Sequence, residues 1–426
     1  MRTAGRTHLF VALALVLVLP ALCLADTLNV GPGQTYTTIQ AAINAASAGD
    51  TIVVAGGTYN ENLIVNKQLT LMGDGSHPLI SCNVGKYDAG ISIRADGVVV
   101  QGLEITNATS DLGYIVTDKD RYSANWTVDD CIIHDVRSGV LAYGPNVTVT
   151  DCHLYSIHGG QARMYGSGPC TVTGNWIHGR QSVSDRGDYG VELSENRCNS
   201  GDTIVADNYI AGMRVGIGFL PGYDHAASGG TLTIAHNTLD GSTDVWGSDT
   251  YSTMGISFWS GGGNAYDVSK IAVRDNIFNR ALWYGLYNGD DGTTGGLSGD
   301  LPVENCLFSD NYWYYWPDYQ YDEQWFGTEA AAQAGWTSTG GDFTFDTSFT
   351  ADPLFALDQT NWDPSEYYAL LSGSPALNAA TDGTNIGAWQ GAPAGPTGDD
   401  SPEPATWVLL ACTGIAGAIR SRRRNK

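Results

Sequence analysis

The chain has few basic residues. Its 426 residues include 21 lysines and arginines against 45 aspartates and glutamates, which gives a formal net charge of −24 at pH 7. Proteins that bind nucleic acid need a basic surface that neutralises phosphates, so this composition argues against a nucleic-acid partner. It also disfavours an anionic polysaccharide, unless Ca²⁺ bridges the like charges. The alternative explanation is solubility alone, because a net charge far from zero keeps proteins from associating.

Two long apolar runs lie at the ends of the chain. The first covers residues 9–24 behind Arg2 and Arg6, and with small residues at 23–25 it predicts an export signal peptide over residues 1–25. The second covers residues 405–419, between Pro402-Glu403-Pro404 and a cluster of arginines. As a helix it would reach roughly 22 Å, short of the ~30 Å hydrocarbon core, so we do not expect a stable transmembrane helix.

The order Pro-Glu-Pro, apolar helix and basic cluster resembles the PEP-CTERM sorting signal of bacteria that have an outer membrane. The resemblance implies a secreted bacterial protein that is transiently anchored through residues 402–426 and is handled by exosortase-type sorting machinery. It implies a location in the cell envelope or outside the cell. Residues 392–401 are rich in Pro, Gly and Asp and predict a linker between this tail and a folded domain of residues 26–391.

A six-residue pattern occurs seven times in the middle of the chain. Each copy has an aliphatic residue, any residue, a small or polar residue, Asn or Cys, any residue, and an apolar residue, and the copies are residues 128–133, 149–154, 172–177, 205–210, 234–239, 273–278 and 303–308. Intervals of roughly 20 to 50 residues indicate a stacked array, and the period of two within each copy indicates strands. A glycine followed by an aliphatic residue adds a further strand per turn. We therefore predict an all-β fold, a right-handed parallel β-helix with three strands per coil, closed at its start by an amphipathic capping helix over residues 37–46.

The Asn or Cys of each copy is expected to turn inward at the bend between two strands. An Asn there can adopt a left-handed conformation, and at about 4.8 Å between coils the side-chain amides can form a ladder. Cys131 and Cys152 take this position in adjacent coils, which leaves two alternatives, a disulfide or two small apolar fillers. Cys170 and Cys198 fall near one turn of neighbouring coils and are a second candidate disulfide, which an oxidising compartment allows. The cysteines show no zinc-site spacing.

Both ends of the predicted solenoid resemble one fold family. The helix followed by Gly57-Thr58-Tyr59, and the closing residues 351–355, 373–378 and 386–390, resemble the opening and the terminal coils of secreted bacterial β-helix proteins of the pectin lyase-like superfamily. Pectin methylesterases open in the same way. Their catalytic Gln-Ala-Val-Ala and Asp-Phe-Ile-Phe-Gly segments are missing here, so that activity is rejected.

The resemblance implies a substrate groove over the glycine-aliphatic strands, walled by their loops. The coil with the most charged residues contains Glu192, which we expect to point outward. The candidate catalytic residues are Glu192, Asp188, Asp185, Arg163 and Arg186, and the candidate substrate-binding residues are Glu195, Arg197, Asp224, His225 and Trp176. Such a set suits Ca²⁺ binding, acid–base glycoside hydrolysis or β-elimination from a uronic acid. Because no lysine lies between Lys119 and Lys270, we do not expect a lysine-based elimination, and the structural alternative is a set of salt bridges that holds long loops down.

Two rows of ring side chains are predicted on another outer face of the solenoid. They can bind a transition metal through stacked histidines, or they can simply cover the sheet and pack under loops. The first row is His134, Tyr155 and His178, and the second is His153, Trp176 and Tyr209.

Two classes of function follow from these observations. The first is a non-catalytic protein, expected to be a monomer, that binds polysaccharide in the cell envelope or an extracellular matrix, and the missing catalytic signatures favour it. The second is a polysaccharide lyase or glycoside hydrolase, favoured only by analogy of fold. No cofactor is certain, and Ca²⁺ is the ion that the carboxylates would suit.

Overall fold

The computed structural model describes most of residues 25–390. The gaps within this range are residues 86–87, 108–113, 137, 158–161, 165–168, 180–188, 194–200, 220–229, 242–253, 261–266, 281–283, 291–300, 310–312, 317–342, 346, 357–367 and 389. Apart from Ala25, the predicted signal peptide lies outside the described residues, as do the linker and the sorting signal.

Three parallel sheets form the sides of a solenoid in the described part of the chain. Sheet A has twelve strands: Thr27–Val30, Thr51–Val54, Thr70–Gly73, Val99–Gln101, Thr127–Asp129, Val147–Thr150, Cys170–Thr173, Thr203–Ala206, Leu232–Ala235, Ile271–Arg274, Leu301–Glu304 and Phe343–Thr344. Sheet B has eleven: Thr58–Tyr59, Leu79–Cys82, Glu104–Asn107, Ile132–Val136, His153–Ile157, Trp176–His178, Tyr209–Ala211, Thr238–Asp240, Ile277–Asn279, Leu307–Ser309 and Phe349–Thr350. Sheet C has ten: Leu63–Val65, Ala89–Ile93, Tyr114–Thr117, Ser138–Ala142, Ala162–Met164, Tyr189–Leu193, Val215–Phe219, Met254–Ser260, Tyr284–Asp290 and Trp313–Trp316.

Each coil contributes one strand to each sheet in turn, and the next coil repeats the order one strand further along. The strand Thr127–Asp129 of sheet A, for example, is followed by strands of sheets B and C before the chain returns to sheet A at Val147–Thr150. Those two sheet A strands pair in parallel with Val128 opposite Val149, and both side chains are fully buried. The apolar side chains of all three sheets therefore meet in one continuous core. The prediction of a right-handed parallel β-helix with three strands per coil is confirmed.

The inward asparagines form the predicted ladder at the bend between sheets A and B. Asn175, Asn208, Asn237 and Asn276 are fully buried. Each of the first three donates its Nδ2 to the Oδ1 of the next, at 2.9, 2.9 and 3.0 Å.

The left-handed residue of the bend is not the asparagine but the residue before it. The φ angles of these preceding residues lie between 49° and 68° in all seven copies: Asp130, Asp151, Gly174, Asp207, His236, Asp275 and Asn305. Asp, Asn and His tolerate this conformation better than most side chains, which suits them to the position. The predicted inward direction of the asparagine side chain is therefore confirmed. The prediction that the asparagine itself is left-handed is wrong, because the residue before it has this conformation.

Cys131 and Cys152 extend the ladder as buried thiols, with no disulfide between them. The sulfur of Cys131 lies 3.3 Å from the carbonyl oxygen of Asp129, and that of Cys152 lies 3.1 Å from the carbonyl oxygen of Thr150. Each thiol thus donates to its own strand, and burial raises the pKa of the Cys152 thiol, which favours the protonated form. Of the two alternatives, the disulfide is wrong and the apolar filler is correct. Cys198 lies outside the described residues, so the Cys170–Cys198 pair stays a prediction.

The capping helix is Ile39–Ala45, and it covers the first coil with Ile39, Ala42 and Ile43. It starts two residues later than predicted because Thr38 is still extended, with φ −128°. The carboxylate of Glu61 accepts from the first two helical N–H groups, and the Nζ of Lys67 donates to the carbonyl oxygens at the other end. Within the described residues, no helix has the length and apolar character needed to cross a membrane.

The described part of the segment after the strand Phe349–Thr350 does not form terminal coils, contrary to the prediction. Its described residues, 351–356, 368–388 and 390, fold back over the outer face of sheet B, and we call them the closing segment. Apolar residues of this segment pack on outward-facing Ala211, Ile277 and Leu307. The Tyr368 hydroxyl donates to Asp240 at 2.9 Å, and Asp240 also binds Arg280 through two hydrogen bonds. The apolar side chains that suggested further coils are therefore buried against the outside of the solenoid.

Candidate functional site

Glu192 lies on the outer face of sheet C, in the strand Tyr189–Leu193. Its neighbours Val191 and Leu193 belong to the core, so the alternation of the strand turns Glu192 outward, as predicted. The side chain is nevertheless fully buried. The predicted direction is therefore correct, but outward does not mean exposed at this position.

Arg163 is the register partner of Glu192 in the adjacent strand. Its Nε donates to Oε2 of Glu192 in a very short contact, and its own side chain is 18% exposed. A buried carboxylate beside a guanidinium forms an ion pair whose separation would leave an uncompensated charge. A general acid or base must reach the proton that it transfers, and this carboxylate is turned toward Arg163. The pair is a salt bridge between paired strands of adjacent coils. The predicted salt bridges between the long loops lie outside the described residues and stay a prediction.

Tyr189 and Gly218 complete the surroundings of this pair. Gly218 is the register partner of Glu192 on its other side, and a Cβ on Gly218 would collide with the ring of Tyr189. Glycine at this position therefore makes room for the aromatic ring beside the buried carboxylate.

The remaining predicted charged residues of the groove lie outside the described residues. They are Asp185, Arg186, Asp188, Glu195, Arg197, Asp224 and His225. Their convergence around Glu192, and any catalytic role of that group, stays a prediction.

Trp176 lies on a different side of the solenoid, on sheet B, and so does not share a face with Glu192. Its ring stacks on that of His153, with centroids 3.9 Å apart and planes 5° apart. Its other neighbours include the apolar cluster under the closing segment. A ring face covered in this way is not available to a sugar, so the geometry gives Trp176 a packing contact rather than a binding surface.

The first ring row, His134, Tyr155 and His178, stacks as predicted. The rings of His134 and Tyr155 lie 4.9 Å apart and those of Tyr155 and His178 lie 5.3 Å apart. The Nε2 atoms of His153 and His178 are 2.8 Å apart, and because Nδ1 of His178 faces the carbonyl oxygen of Gly179, we assign the shared proton to His153. Burial lowers the pKa of His178 to about 4, and burial with the charges of His178 and His134 lowers that of His153 to about 3.

No metal site is visible in the part of the chain that the structure describes. Within those residues, no three or more His, Cys, Asp or Glu side chains form a group that could hold an ion. Apart from Glu192, the carboxylates that suggested Ca²⁺ lie outside those residues, so Ca²⁺ binding stays a prediction.

A cluster that the sequence did not reveal lies where the strands of sheet C end. Arg94 follows the strand Ala89–Ile93, and residues 119–122 form a turn after the next strand, Tyr114–Thr117. Arg94 donates to Asp120 at 2.7 Å, the Nζ of Lys119 lies 3.6 Å from the same carboxylate, and Arg121 donates to the Arg94 carbonyl oxygen at 2.9 Å. We call Arg94, residues 119–122 and Tyr143 the carboxyl edge of sheet C.

A buried aspartate holds this turn in place. Asp118 accepts from the backbone N–H groups of Tyr143 and Gly144, both at 2.7 Å, and from the indole of Trp126 at 3.2 Å. Burial raises the pKa of Asp118, and these three donors act in the opposite direction. The turn that follows is therefore fixed to the next coil rather than left to solvent.

Tyr122 is an exposed aromatic member of the carboxyl edge. Its side chain is 54% exposed, and its ring meets that of Tyr143 edge-on at 5.3 Å. Its φ is 58°, a left-handed conformation in which a bulky side chain is an outlier. The only sequence signal for the cluster was the recurrence of cations directly after two successive sheet C strands.

The fold and these sites define a solenoid protein with long outer faces, and the comparison with known families agrees. The chain matches the family described as "Right handed beta helix region" over residues 29–177 and 89–278. These overlapping matches span more than half of the chain, so the protein belongs to the right-handed β-helix family.

One curated relative is a "Cell surface glycoprotein" of Methanothermus fervidus, 39% identical over 83 residues. That match covers 19% of this chain, and the chain spans only 14% of the relative's length. Similar solved structures include pectate lyase Pel9A, with 12% identity, 86% of this chain and 96% of that chain covered, and a TM-score of 0.48. A polysaccharide lyase of family PL6 from Pseudopedobacter saltans has 12% identity, coverages of 82% and 97%, and a TM-score of 0.37. At these identities and TM-scores the two structures say nothing about substrate or activity.

Proposed function

We propose that the protein binds polysaccharide at the cell surface or in the surrounding matrix, and that the carboxyl edge of sheet C is its binding surface. The observation that carries the proposal is Tyr122, an exposed aromatic ring held in a left-handed conformation. Backbone outliers of this kind persist only where the surrounding structure fixes them, and they concentrate at functional sites. The ring presents an apolar face with a polar tip, which suits the apolar face and hydroxyl groups of a sugar.

The shape of the molecule supports a polymeric ligand. Ten strands at about 4.8 Å make sheet C roughly 43 Å long, and solenoids commonly use such extended surfaces for binding. The curated relative is a cell surface glycoprotein, which supports a surface location, and the predicted export and sorting signals would deliver the protein there.

Catalysis is not part of the proposal. Among the candidate catalytic residues that the structure describes, Glu192 is buried and paired with Arg163. Binding without turnover requires neither an exposed acid nor a metal ion.

The test is a panel of soluble glycans, neutral and acidic, measured with the full chain by isothermal titration calorimetry with and without Ca²⁺. New reducing ends and ultraviolet absorbance of unsaturated products are recorded in the same samples. We expect binding to at least one polymer without product formation. Turnover would support the enzyme alternative and contradict this proposal, and a complete absence of binding would also contradict it.

Tyr122→Gly tests the binding surface itself, because glycine keeps the left-handed turn and removes only the ring. We expect it to weaken binding at least tenfold, equivalent to about 1.4 kcal/mol. The control is His77→Gly, which removes a ring from another left-handed turn, with φ 49°. Equal affinity of Tyr122→Gly and the unchanged protein would remove the carboxyl edge from the proposal.

A further inference from the structure

We infer that Asp50 is the binding site for a free α-amino group, the one that removal of the predicted signal peptide would create at Asp26. The inference goes beyond the proposed function and concerns how the first coil is closed after export. Cys23 and Ala25 are small residues at the cleavage positions, so a signal peptidase would hydrolyse the Ala25–Asp26 peptide bond. The reaction consumes one water and leaves a carboxylate on Ala25 and an ammonium group on Asp26.

Asp50 already contacts the nitrogen atom that would become this amino group. The backbone nitrogen of Asp26 lies 2.9 Å from Oδ1 of Asp50, and the Asp26 carbonyl oxygen accepts from the N–H of Thr51 at 2.9 Å. Both contacts lie directly before the first strand of sheet A, Thr27–Val30. The predicted cleavage point therefore coincides with the residue at which the chain is fixed to the next strand of that sheet.

The Asp50 carboxylate is itself held in place. The residue is only 4% exposed, its Oδ2 accepts from the N–H of Ser47 at 2.7 Å, and its carbonyl oxygen accepts from the N–H of Thr70 at 3.1 Å. The N–H groups of Asp26 and Ser47 lower the pKa of Asp50, so the carboxylate is charged at neutral pH. A fixed anion thus waits beside the position of the new amino group.

The cleft in front of this contact has no cation of its own. It encloses about 420 Å³, its charged lining residues are Asp26 and Asp50, and none of the described residues that line it is Lys, Arg or His. Tyr36 is the other titratable residue of the lining. Lys67 also attracts the Asp50 carboxylate, but its Nζ donates to three carbonyl oxygens at the end of the capping helix. An ammonium group at Asp26 would supply the cation that the cleft lacks.

Processing would strengthen the contact by changing the charge of its donor. Before cleavage the donor is a neutral peptide N–H, whereas hydrogen bonds between two charged partners are shorter and stronger. The Asp50 carboxylate should raise the pKa of the amino group, which is ordinarily about 7.7–8.0. A raised pKa contributes stability that is complete below about pH 7.7 and is lost as the pH rises through the folded-state value. The first coil would therefore close fully only after the signal peptide is removed.

The experiment uses the full chain, exported from a bacterial host, and measures how fast its α-amino group is acetylated at pH 7. Mass spectrometry should identify Asp26 as the first residue, and a different first residue would overturn the inference. Only the uncharged amine reacts, so we expect acetylation to be at least about fivefold slower in the native protein than in Asp50→Asn. The matched control is Asp202→Asn, which should react like the native protein. Asp202 also accepts a backbone N–H, that of Thr231 at 2.9 Å.

A second variant retains every side chain and decides the question if Asp50→Asn does not fold. One serine inserted between Ala25 and Asp26 keeps the Asp26 N–H but moves the amino group away by about 3.5 Å. We expect faster acetylation than in the native protein, and a lower urea midpoint at pH 6.5 but not at pH 10, where the native amine is uncharged. Equal acetylation rates in the native protein and in either variant would overturn the inference. A loss of stability that is the same at both pH values would overturn it too.

Discussion

The ladder of asparagines between sheets A and B can be tested at its centre, Asn208. Its Nδ2 donates to the Asn237 side chain and to the Val172 carbonyl oxygen, both at 2.9 Å. Its Oδ1 accepts from the Asn175 backbone at 3.1 Å and from the Asn175 side chain at 2.9 Å. Alanine at 208 removes all four hydrogen bonds in a fully buried site. We therefore expect Asn208→Ala to destabilise the fold strongly.

The magnitude follows from the groups that lose a partner. A buried polar group left unsatisfied costs about 1–3 kcal/mol, and both the Val172 carbonyl and the Asn175 N–H lose this bond. The two side-chain hydrogen bonds to Asn175 and Asn237 are lost as well. We therefore expect the free energy of unfolding to fall by about 3–6 kcal/mol, a large share of the about 5–15 kcal/mol that is typical of a folded protein. Asn208→Cys should lose less, because Cys306 already occupies this column and its sulfur lies 3.4 Å from the Asn276 nitrogen.

The assay is urea unfolding followed by circular dichroism, with the slope of the transition checked for constancy. Asn62→Ala is the control, since Asn62 also makes two hydrogen bonds, to Asn83, but at an exposed site. That variant should lose less than about 1 kcal/mol. The reasoning is refuted if Asn208→Ala is no more destabilising than Asn62→Ala, or if cysteine at 208 is worse than alanine.

Three further outcomes can be measured on the same protein. Arg163→Met should cost about 3–5 kcal/mol in urea unfolding by removing the cation of the Arg163–Glu192 ion pair, and adding Glu192→Gln should recover most of the loss. Equal stability of the single and double variants would contradict the ion pair. Burial and the charges of Asp151 and Asp130 raise the folded-state pKa of Asp129 to about 6, so its contribution to stability is present at acidic pH and is lost as pH rises through 6. Asp129→Asn should therefore raise the melting temperature at pH 7.5 by about 2 °C and leave it unchanged at pH 4, whereas an equal shift at both values would argue against this titration. Tyr368→Phe should lower the free energy of unfolding by about 1–2 kcal/mol by removing the bond to Asp240, and an unchanged value would show that the bond contributes nothing.

The fold could be predicted from the sequence because its signals are local. The period of two in each six-residue copy places Val149 inward, and the recurrence of Asn and Cys locates the bend. The pattern does not say which of two adjacent polar residues becomes left-handed. The prediction placed this conformation at Asn208, whereas the structure has it at Asp207. The closing segment was misjudged because the sequence shows apolar residues but not whether they face the inside or the outside of a solenoid.

The site could be predicted only in part. Alternation gave the outward direction of Glu192, but its burial depends on Arg163, which a whole coil separates from it. The carboxyl edge of sheet C was not predicted for the same reason. Arg121 reaches the Arg94 carbonyl oxygen only because two successive coils stack in register. Register between coils depends on loop geometry, which a single sequence does not fix.

The closing segment changes how the solenoid would carry a mechanical load. Repeats in a solenoid contact only their neighbours, so a pull on the last coil would normally peel the coils off one at a time. Here Ala388 donates to Thr238, Thr381 donates to Asp275 and Tyr368 donates to Asp240, so the closing segment is fastened to coils well before the last one. A force applied beyond residue 390 would therefore shear several contacts at once across the face of sheet B. The protein could be pulled by its tail without unwinding from its end.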